Sequence, residues 1–277
     1  MLLNSSLWLI DAFTNKPFQG NPAGVCLVEE FPDNSLMQKV AFEMNWSETA
    51  FLKKISTNKY KIRWFSPEDE APICAHATLA SAHFLFENNY VIGSSVEFLS
   101  HAGSLVVTQK HEKNESWIIM DFPAINIESC NDANEVDVVK NILNTSVTQI
   151  LKDSLIYVAV LASEDDVANC SPDLALLKTL SCRAISITAN ANQANANTYD
   201  FVSRYFAPKV GIPEDPVCGS SYCRLTPFWT KIFNKKFLIS RQLSRRGGML
   251  NVSYNDSTKR VSIAGQAKTI LKGKFSF

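Results

Sequence analysis

The chain carries no excess charge of either sign, since 27 Lys and Arg residues balance 27 Asp and Glu residues over 277 positions. That balance removes the electrostatic case for nucleic acid or an anionic membrane as a partner. The basic cluster Arg241 to Arg246 is the local exception, and it reads as a solvated turn ahead of Gly247-Gly248. That glycine pair lacks the surrounding pattern of a phosphate loop. No apolar stretch approaches the roughly 20 residues needed to cross a bilayer. The run Leu2 to Ile10 has no basic leader and is broken by Asp11, so a first strand is expected there and not a signal peptide. Seven cysteines form an odd set without close pairing, as expected of reduced thiols in a cytoplasmic protein. His76 and His83 share a helix face without a clear third ligand, so no metal site is expected, and His101 and His111 read as ordinary polar positions.

What remains is an ordinary globular composition, 46% hydrophobic and 19% charged, on a chain long enough for two domains. Strand patterns fall at Leu7–Phe13, Ala23–Val28, Thr49–Lys54, Lys59–Phe65, Ser95–Phe98, Leu105–Gln109 and Trp117–Asp121. In the second half they fall at Leu155–Leu161, Ala184–Thr188, Tyr199–Ala207, Phe237–Ser240, Met249–Tyr254 and Arg260–Ala264. Helices are expected over Leu36–Glu43, capped by Asp33 or Asn34, after His76, over Leu174–Leu180, and from Ser221 to Phe233 with a bend at Pro227. Each half thus reads as many strands plus one unusually buried helix, an approximate duplication with its seam between Phe122 and Asp132. We place the domains at 1–125 and 126–277, with the last strand packing back on the first. Ala189 to Asn197 reads as a loose surface loop.

Two segments concentrate the chemistry. Pro72-Ile73-Cys74-Ala75-His76-Ala77-Thr78 and Glu214-Asp215-Pro216-Val217-Cys218-Gly219-Ser220-Ser221 each close an extended stretch with small residues and open an apolar helix. A helix N-terminus offers unpaired N–H groups and the positive end of the dipole, so it binds an anion without a lysine. Two such ends with proton-transfer side chains suggest an enzyme that grips a small carboxylate and moves its protons.

Two further segments accompany them, Asp11-Ala12-Phe13-Thr14 through Phe18-Gln19-Gly20-Asn21-Pro22-Ala23-Gly24 and Asn45-Trp46-Ser47-Glu48-Thr49-Ala50-Phe51. Arg63-Trp64-Phe65-Ser66-Pro67 and Asp200-Phe201-Val202-Ser203-Arg204-Tyr205-Phe206-Ala207-Pro208 complete the set. In that order and spacing, from Asp11 to about Trp229, the chain resembles the PhzF family of phenazine-biosynthesis-like proteins. The resemblance implies an α+β, diaminopimelate epimerase-like fold: two similar domains, each with antiparallel strands wrapped around a central helix. It also implies an active site in the cleft between the domains, no cofactor, and a homodimer. The activity it implies is a cofactor-independent isomerisation that moves a proton within a small carboxylate-bearing metabolite. By the same resemblance Glu48 is the acid/base group, His76 and Asp215 assist and orient, and Ser220 with the amides near Ala75, His76 and Gly219 holds the carboxylate.

Three positions depart from the family pattern. Ala75 replaces a usual glycine, at a cost on the order of 1 kcal/mol if that backbone needs positive φ. Tyr222 and Arg224 are also unusual and are expected to alter the size and charge of the pocket, which puts the phenazine precursor in doubt. Two alternatives stand beside the isomerase. Cys74 and Cys218 resemble the catalytic pair of diaminopimelate epimerase and proline racemase, in which a thiolate and a thiol act on opposite faces of one carbon. A non-catalytic small-acid binder on the same fold is the other.

Overall fold

Residues 6–113 and 115–274 of the computed structural model are described, and they form two units. One lies within Met1–Phe122 and Ser262–Phe277, and the other is Pro123–Val261.

The first unit begins with β1 (Ser6–Ala12), β2 (Asn21–Val28), α1 (Asn34–Met44), β3 (Glu48–Ser56), β4 (Lys59–Phe65) and β5 (Glu70–Ala71). It continues with α2 (Ala75–Glu87), β6 (Ser95–Ser100), β7 (Gly103–Glu112) and β8 (Glu115–Pro123). In the second unit β9 (Glu128–Ser129), α3 (Ala133–Leu143), β10 (Val147–Lys152), β11 (Ile156–Leu161), α4 (Glu164–Asn169) and α5 (Leu174–Leu177) come first. Then follow β12 (Ala184–Asn190), β13 (Phe201–Phe206), α6 (Tyr222–Phe233), β14 (Phe237–Gln242) and β15 (Gly248–Asn255). The chain closes with β16 (Arg260–Gly265) and β17 (Ala267–Lys274). Among the described residues no helix is long and apolar enough to cross a membrane.

The two units repeat one pairing scheme. In the first, β17 and β1 pair antiparallel, as do β1 and β2; β2 and β3 are parallel, β3 and β4 antiparallel, β4 and β6 parallel, and β6 and β7 antiparallel. In the second, β9/β10 and β10/β11 are antiparallel, β11/β12 parallel, β12/β13 antiparallel, β13/β14 parallel and β14/β15 antiparallel. The second parallel pair of each unit needs a crossover, and a helix supplies it: α2 between β4 and β6, α6 between β13 and β14. The duplication is therefore one of topology, carried with little identity of letters.

Both crossover helices are deeply buried, for different reasons. Eleven of the thirteen residues of α2, from Ala75 to Phe86, are buried, and small side chains let it lie close on β1, β2 and β3. Gly265 answers that close approach, because a Cβ there would come within 2.5 Å of the Phe13 ring and 2.9 Å of Leu79. In α6, Pro227 has no N–H to give the Cys223 carbonyl one turn back; that carbonyl instead accepts the Ile125 N–H at 2.9 Å.

The alternation of side chains sorts the two faces of the first sheet. Leu7, Cys26, Val28 and Phe51 face α1 with Met37, Val40 and Ala41. Trp8 meets Phe84 of α2 edge to face at 5.0 Å, so its registered partners Val25 and, next, Ala50 share the α2 face.

The loose surface loop expected over Ala189 to Asn197 is neither wholly loop nor loose: Ala189 and Asn190 end β12, Ala189 and Ala191 are buried, and the rest is tied down. Buried Glu164 accepts hydrogen bonds from the Tyr199 hydroxyl at 2.6 Å, the Asn192 N–H at 2.7 Å and the Asn195 amide at 2.9 Å.

Candidate active site

Glu48 is the first residue of β3 and is 9% exposed. It pairs in register with Ala23, and the period-two alternation through Ala50 puts its carboxyl on the face that α2 covers. Trp64 sits opposite Ala50 on that same face, buried, with no hydrogen-bond partner for its indole N–H among the described residues.

At the start of α2, Cys74 is the N-cap in extended conformation and gives no side-chain cap, so the first amides of the helix are left for other partners. Ala75 begins the helix and is not among the described residues with positive φ, so alanine in place of glycine strains nothing here. Cys74 Sγ lies 3.4 Å from His76 Nδ1. Burial pushes His76 down to about 3 from its ordinary 6.5, and the ring is therefore neutral at physiological pH. It serves as a hydrogen-bonding group and lends no positive charge to a neighbouring sulfur.

That shift carries a signed consequence for stability. The folded value lies below the unfolded 6.5, so the unfolded chain binds the proton first as the pH falls. Stability is undiminished by this group above pH 6.5 and declines below it, by about 1.4 kcal/mol per pH unit, until the folded ring itself protonates near 3. We expect His76→Asn to flatten the acid limb of stability over that window, as followed by urea unfolding at a series of pH values. An unchanged limb would mean the ring is not held neutral by burial.

In the second unit a one-turn 3-10 segment, Gly219–Ser221, precedes α6, so the α-helix proper begins at Tyr222 and not at Ser221. Gly219 is buried and Ser220 exposed, with the Ser220 hydroxyl 3.4 Å from Cys218 Sγ. Burial first, and then the negative charge of Asp215, push the Cys218 thiol well above its ordinary range. Asp215 receives the Val217 N–H on its carboxylate at 3.1 Å and gives its own N–H to the Tyr205 carbonyl at 2.9 Å. Beside it, Glu214 takes Arg204 in a two-point pair at 2.7 and 3.1 Å.

The unusual residues of α6 do not open toward a ligand. Tyr222 is fully buried, and its hydroxyl sits between Ser203 at 3.0 Å and Ser240 at 3.2 Å. Arg224 is buried and salt-bridged to Asp153 at 2.6 Å, with a longer bond from its guanidinium to the Ser220 carbonyl at 3.4 Å. The expected effect of Tyr222 and Arg224 on a pocket is thus replaced by a packing role, because their polar ends are already partnered inside the unit.

The structure groups Glu48, Cys74, Ala75 and His76 in the first unit and Asp215, Cys218, Gly219 and Ser220 in the second. The duplicated plan puts Cys74 and Cys218 at matching places, each the residue before its crossover helix or the turn leading into it. Glu48 has no such twin, since β12 begins with Ala184. Tyr205, Gln242 and Ser244, which touch the Asp215 turn by backbone or side chain, were not singled out by sequence. The signal for Gln242 was a polar side chain in the core phase of the alternating strand Phe237–Gln242.

Two units of one plan, each with a buried central helix behind a cysteine-bearing turn, define the diaminopimelate epimerase-like fold. A probable proline racemase from Agrobacterium radiobacter K84 shares it at a TM-score of 0.64 and 10% identity, over 98% of this chain and 93% of that one. The family model for phenazine biosynthesis-like proteins matches residues 10–273, and the chain belongs to this PhzF family. It is 36% identical to an uncharacterized isomerase of Halalkalibacterium halodurans over 99% of both chains. The crystal structure of an Enterococcus faecalis protein of the PhzF family superposes at a TM-score of 0.91, with 36% identity, over 99% of this chain and 100% of that one.

Proposed function

We propose that the protein is a cofactor-independent isomerase of the PhzF type, acting on a small carboxylate-bearing metabolite. The observation that carries this is the buried Glu48, at the start of β3, where the matching strand of the other unit, β12, begins with Ala184. One acid/base group suits a proton moved between two carbons on the same face; a racemase needs two groups on opposite faces. The Glu48 carboxylate takes a proton from a carbon conjugated to the substrate carboxylate, and the electron pair passes into the conjugated system. The protonated Glu48 then returns that proton to a second carbon, so that a double bond shifts and nothing is oxidised or reduced. Ser220 and the helix-start amides near Ala75, His76 and Gly219 hold the carboxylate and the charge that develops on it. Neutral His76 and Asp215 orient a neighbouring amine or hydroxyl.

A two-cysteine racemase is less well served. Burial and Asp215 keep Cys218 a thiol, and neutral His76 gives Cys74 no cation. The H. halodurans relative named an isomerase agrees with either chemistry.

The test is deuterium wash-in by NMR, with the protein in D2O and a panel of cyclic dienoic acids and amino acids. Exchange at a ring or chain carbon of a dienoic acid, undisturbed in Cys74→Ser/Cys218→Ser, is the expected result. Exchange at an amino-acid α-carbon that this double variant abolishes would overturn it in favour of the racemase. Stabilisation by an acid without any exchange would leave a binder.

A further inference from the structure

The turn from Asp215 to Cys218 has no regular secondary structure of its own, yet its geometry decides where Asp215, Gly219 and Ser220 stand. One side chain spans it. Gln242, the last residue of β14, is 1% exposed. Its Oε1 accepts the Cys218 N–H at 3.0 Å, and its Nε2 donates to the Asp215 carbonyl at 2.7 Å. The two bonds use the amide in opposite senses, so only one orientation of the group satisfies both. Next along the chain, the Ser244 hydroxyl donates to the Pro216 carbonyl at 2.7 Å and accepts the Gly247 N–H at 3.0 Å. From the other side, β13 fixes the turn through the Tyr205 carbonyl and the Arg204–Glu214 pair. Apart from the Glu214 pair, these holds grip backbone groups of the turn, so they set its shape without engaging the Asp215 and Ser220 side chains.

We propose that Gln242 is a positioning residue of the site: its amide clamps both ends of the Asp215–Cys218 turn and so sets where Asp215 and Ser220 meet substrate. The inference rests on the role proposed above for those two residues. A carboxylic acid offers a direct probe of the clamp. When protonated, the carboxyl introduced by Gln242→Glu has one acceptor and one donor, like the amide; when ionised, it loses the donor and turns a negative oxygen toward the Asp215 carbonyl. Leucine supplies neither group.

The experiment follows two readouts in the full chain. The first is alkylation of Cys218 by iodoacetamide, located by peptide mass spectrometry, which needs no substrate. The second is deuterium wash-in with whichever panel acid exchanges. Gln242→Leu is expected to speed alkylation about tenfold, as two buried hydrogen bonds holding the turn are lost. It is also expected to slow wash-in at least about tenfold through kcat, from misplacement alone. Measured relative to wild type at the same pH, Gln242→Glu should behave like Gln242→Leu at high pH and return toward wild type as the pH falls, a crossing that the Gln242→Leu ratio lacks. Thr188→Val removes the hydroxyl that accepts the Trp229 N–H at 2.9 Å elsewhere in the same unit, and serves as the control for general loosening. It should leave Cys218 alkylation unchanged. If Gln242→Leu and Thr188→Val accelerate alkylation equally, or if Gln242→Glu shows no pH-dependent recovery, the clamp is not what positions the turn. If alkylation follows the expected pattern while the wild type exchanges none of the acids, Gln242 still holds the turn and it is the isomerase assignment that fails.

Discussion

Glu48→Gln is expected to lower deuterium exchange into substrate by about a hundred- to ten-thousandfold, the usual contribution of one positioned acid/base group. The substitution keeps size and shape but replaces a carboxyl that can take and return a proton by an amide that cannot, so binding of the acid should persist while turnover does not. Glu48 lies at the end of a strand, fully registered through Ala23 of β2, so the amide can occupy the same place without disturbing the ladder. The measurement is the exchange rate by NMR beside the shift in thermal midpoint that the same acid produces. Loss of exchange with the ligand-induced shift preserved places the defect in proton transfer. Undiminished exchange would remove Glu48 from the reaction and with it the mechanism proposed here.

The largest loss of stability is expected from Asp153. Its carboxylate holds Arg224 in a pair whose side chains are 12% and 5% exposed, and it also accepts the Leu155 and Ile156 N–H groups at 2.7 and 2.9 Å. Among the described residues, Asp153→Ala leaves the buried guanidinium with only the long contact to the Ser220 carbonyl. Removing one partner of such a pair typically costs about 3–5 kcal/mol, because the remaining charge keeps its desolvation penalty and loses its compensation. Arg224→Met/Asp153→Leu, which removes both charges, should recover much of that loss. Chemical denaturation of the three proteins measures it. Similar stabilities for the single and double variants would mean that Arg224 finds water or another acceptor when Asp153 is gone.

Much of the scaffold was legible, because its strands are short apolar runs with clear punctuation. Lys59–Phe65 matches β4 to the residue, and Asp33 caps α1 through the Leu36 N–H at 2.8 Å. What escaped was held by distant partners. Strand β17 carries Lys268, Lys272, Lys274 and Gly273, a poor strand sequence by propensity, and is made a strand by its ladder with β1. Helix α3 follows directly on the polar seam: Asp132 caps it, but Val136, Val138 and Val139 give it no helical preference, and its inner face packs in the second unit's core. Strand β10 turns Thr148 and Gln149 outward and lacks a continuous apolar pattern. Of the site, the two helix-start turns were visible as motifs, whereas the Arg224–Asp153 pair joins residues 71 apart and leaves no local trace. Gln242 was overlooked because neighbouring arginines gave the segment the look of a solvated turn, although only Arg241 and Arg245 are exposed.

The return of β17 to β1 bears on how the polypeptide is made. Strand β1 leaves the ribosome before the Pro123–Val261 unit, but the neighbour that covers one of its sides is synthesised only after the whole of that unit. During that interval β1 presents an open row of N–H and C=O groups, the kind of edge on which nascent chains stick to one another. The inserted unit has all of its own strands in one uninterrupted stretch and can mature while its host waits. Birth order and completion order are thus reversed between the two: the half that carries Glu48 is started before the inserted unit and finished after it.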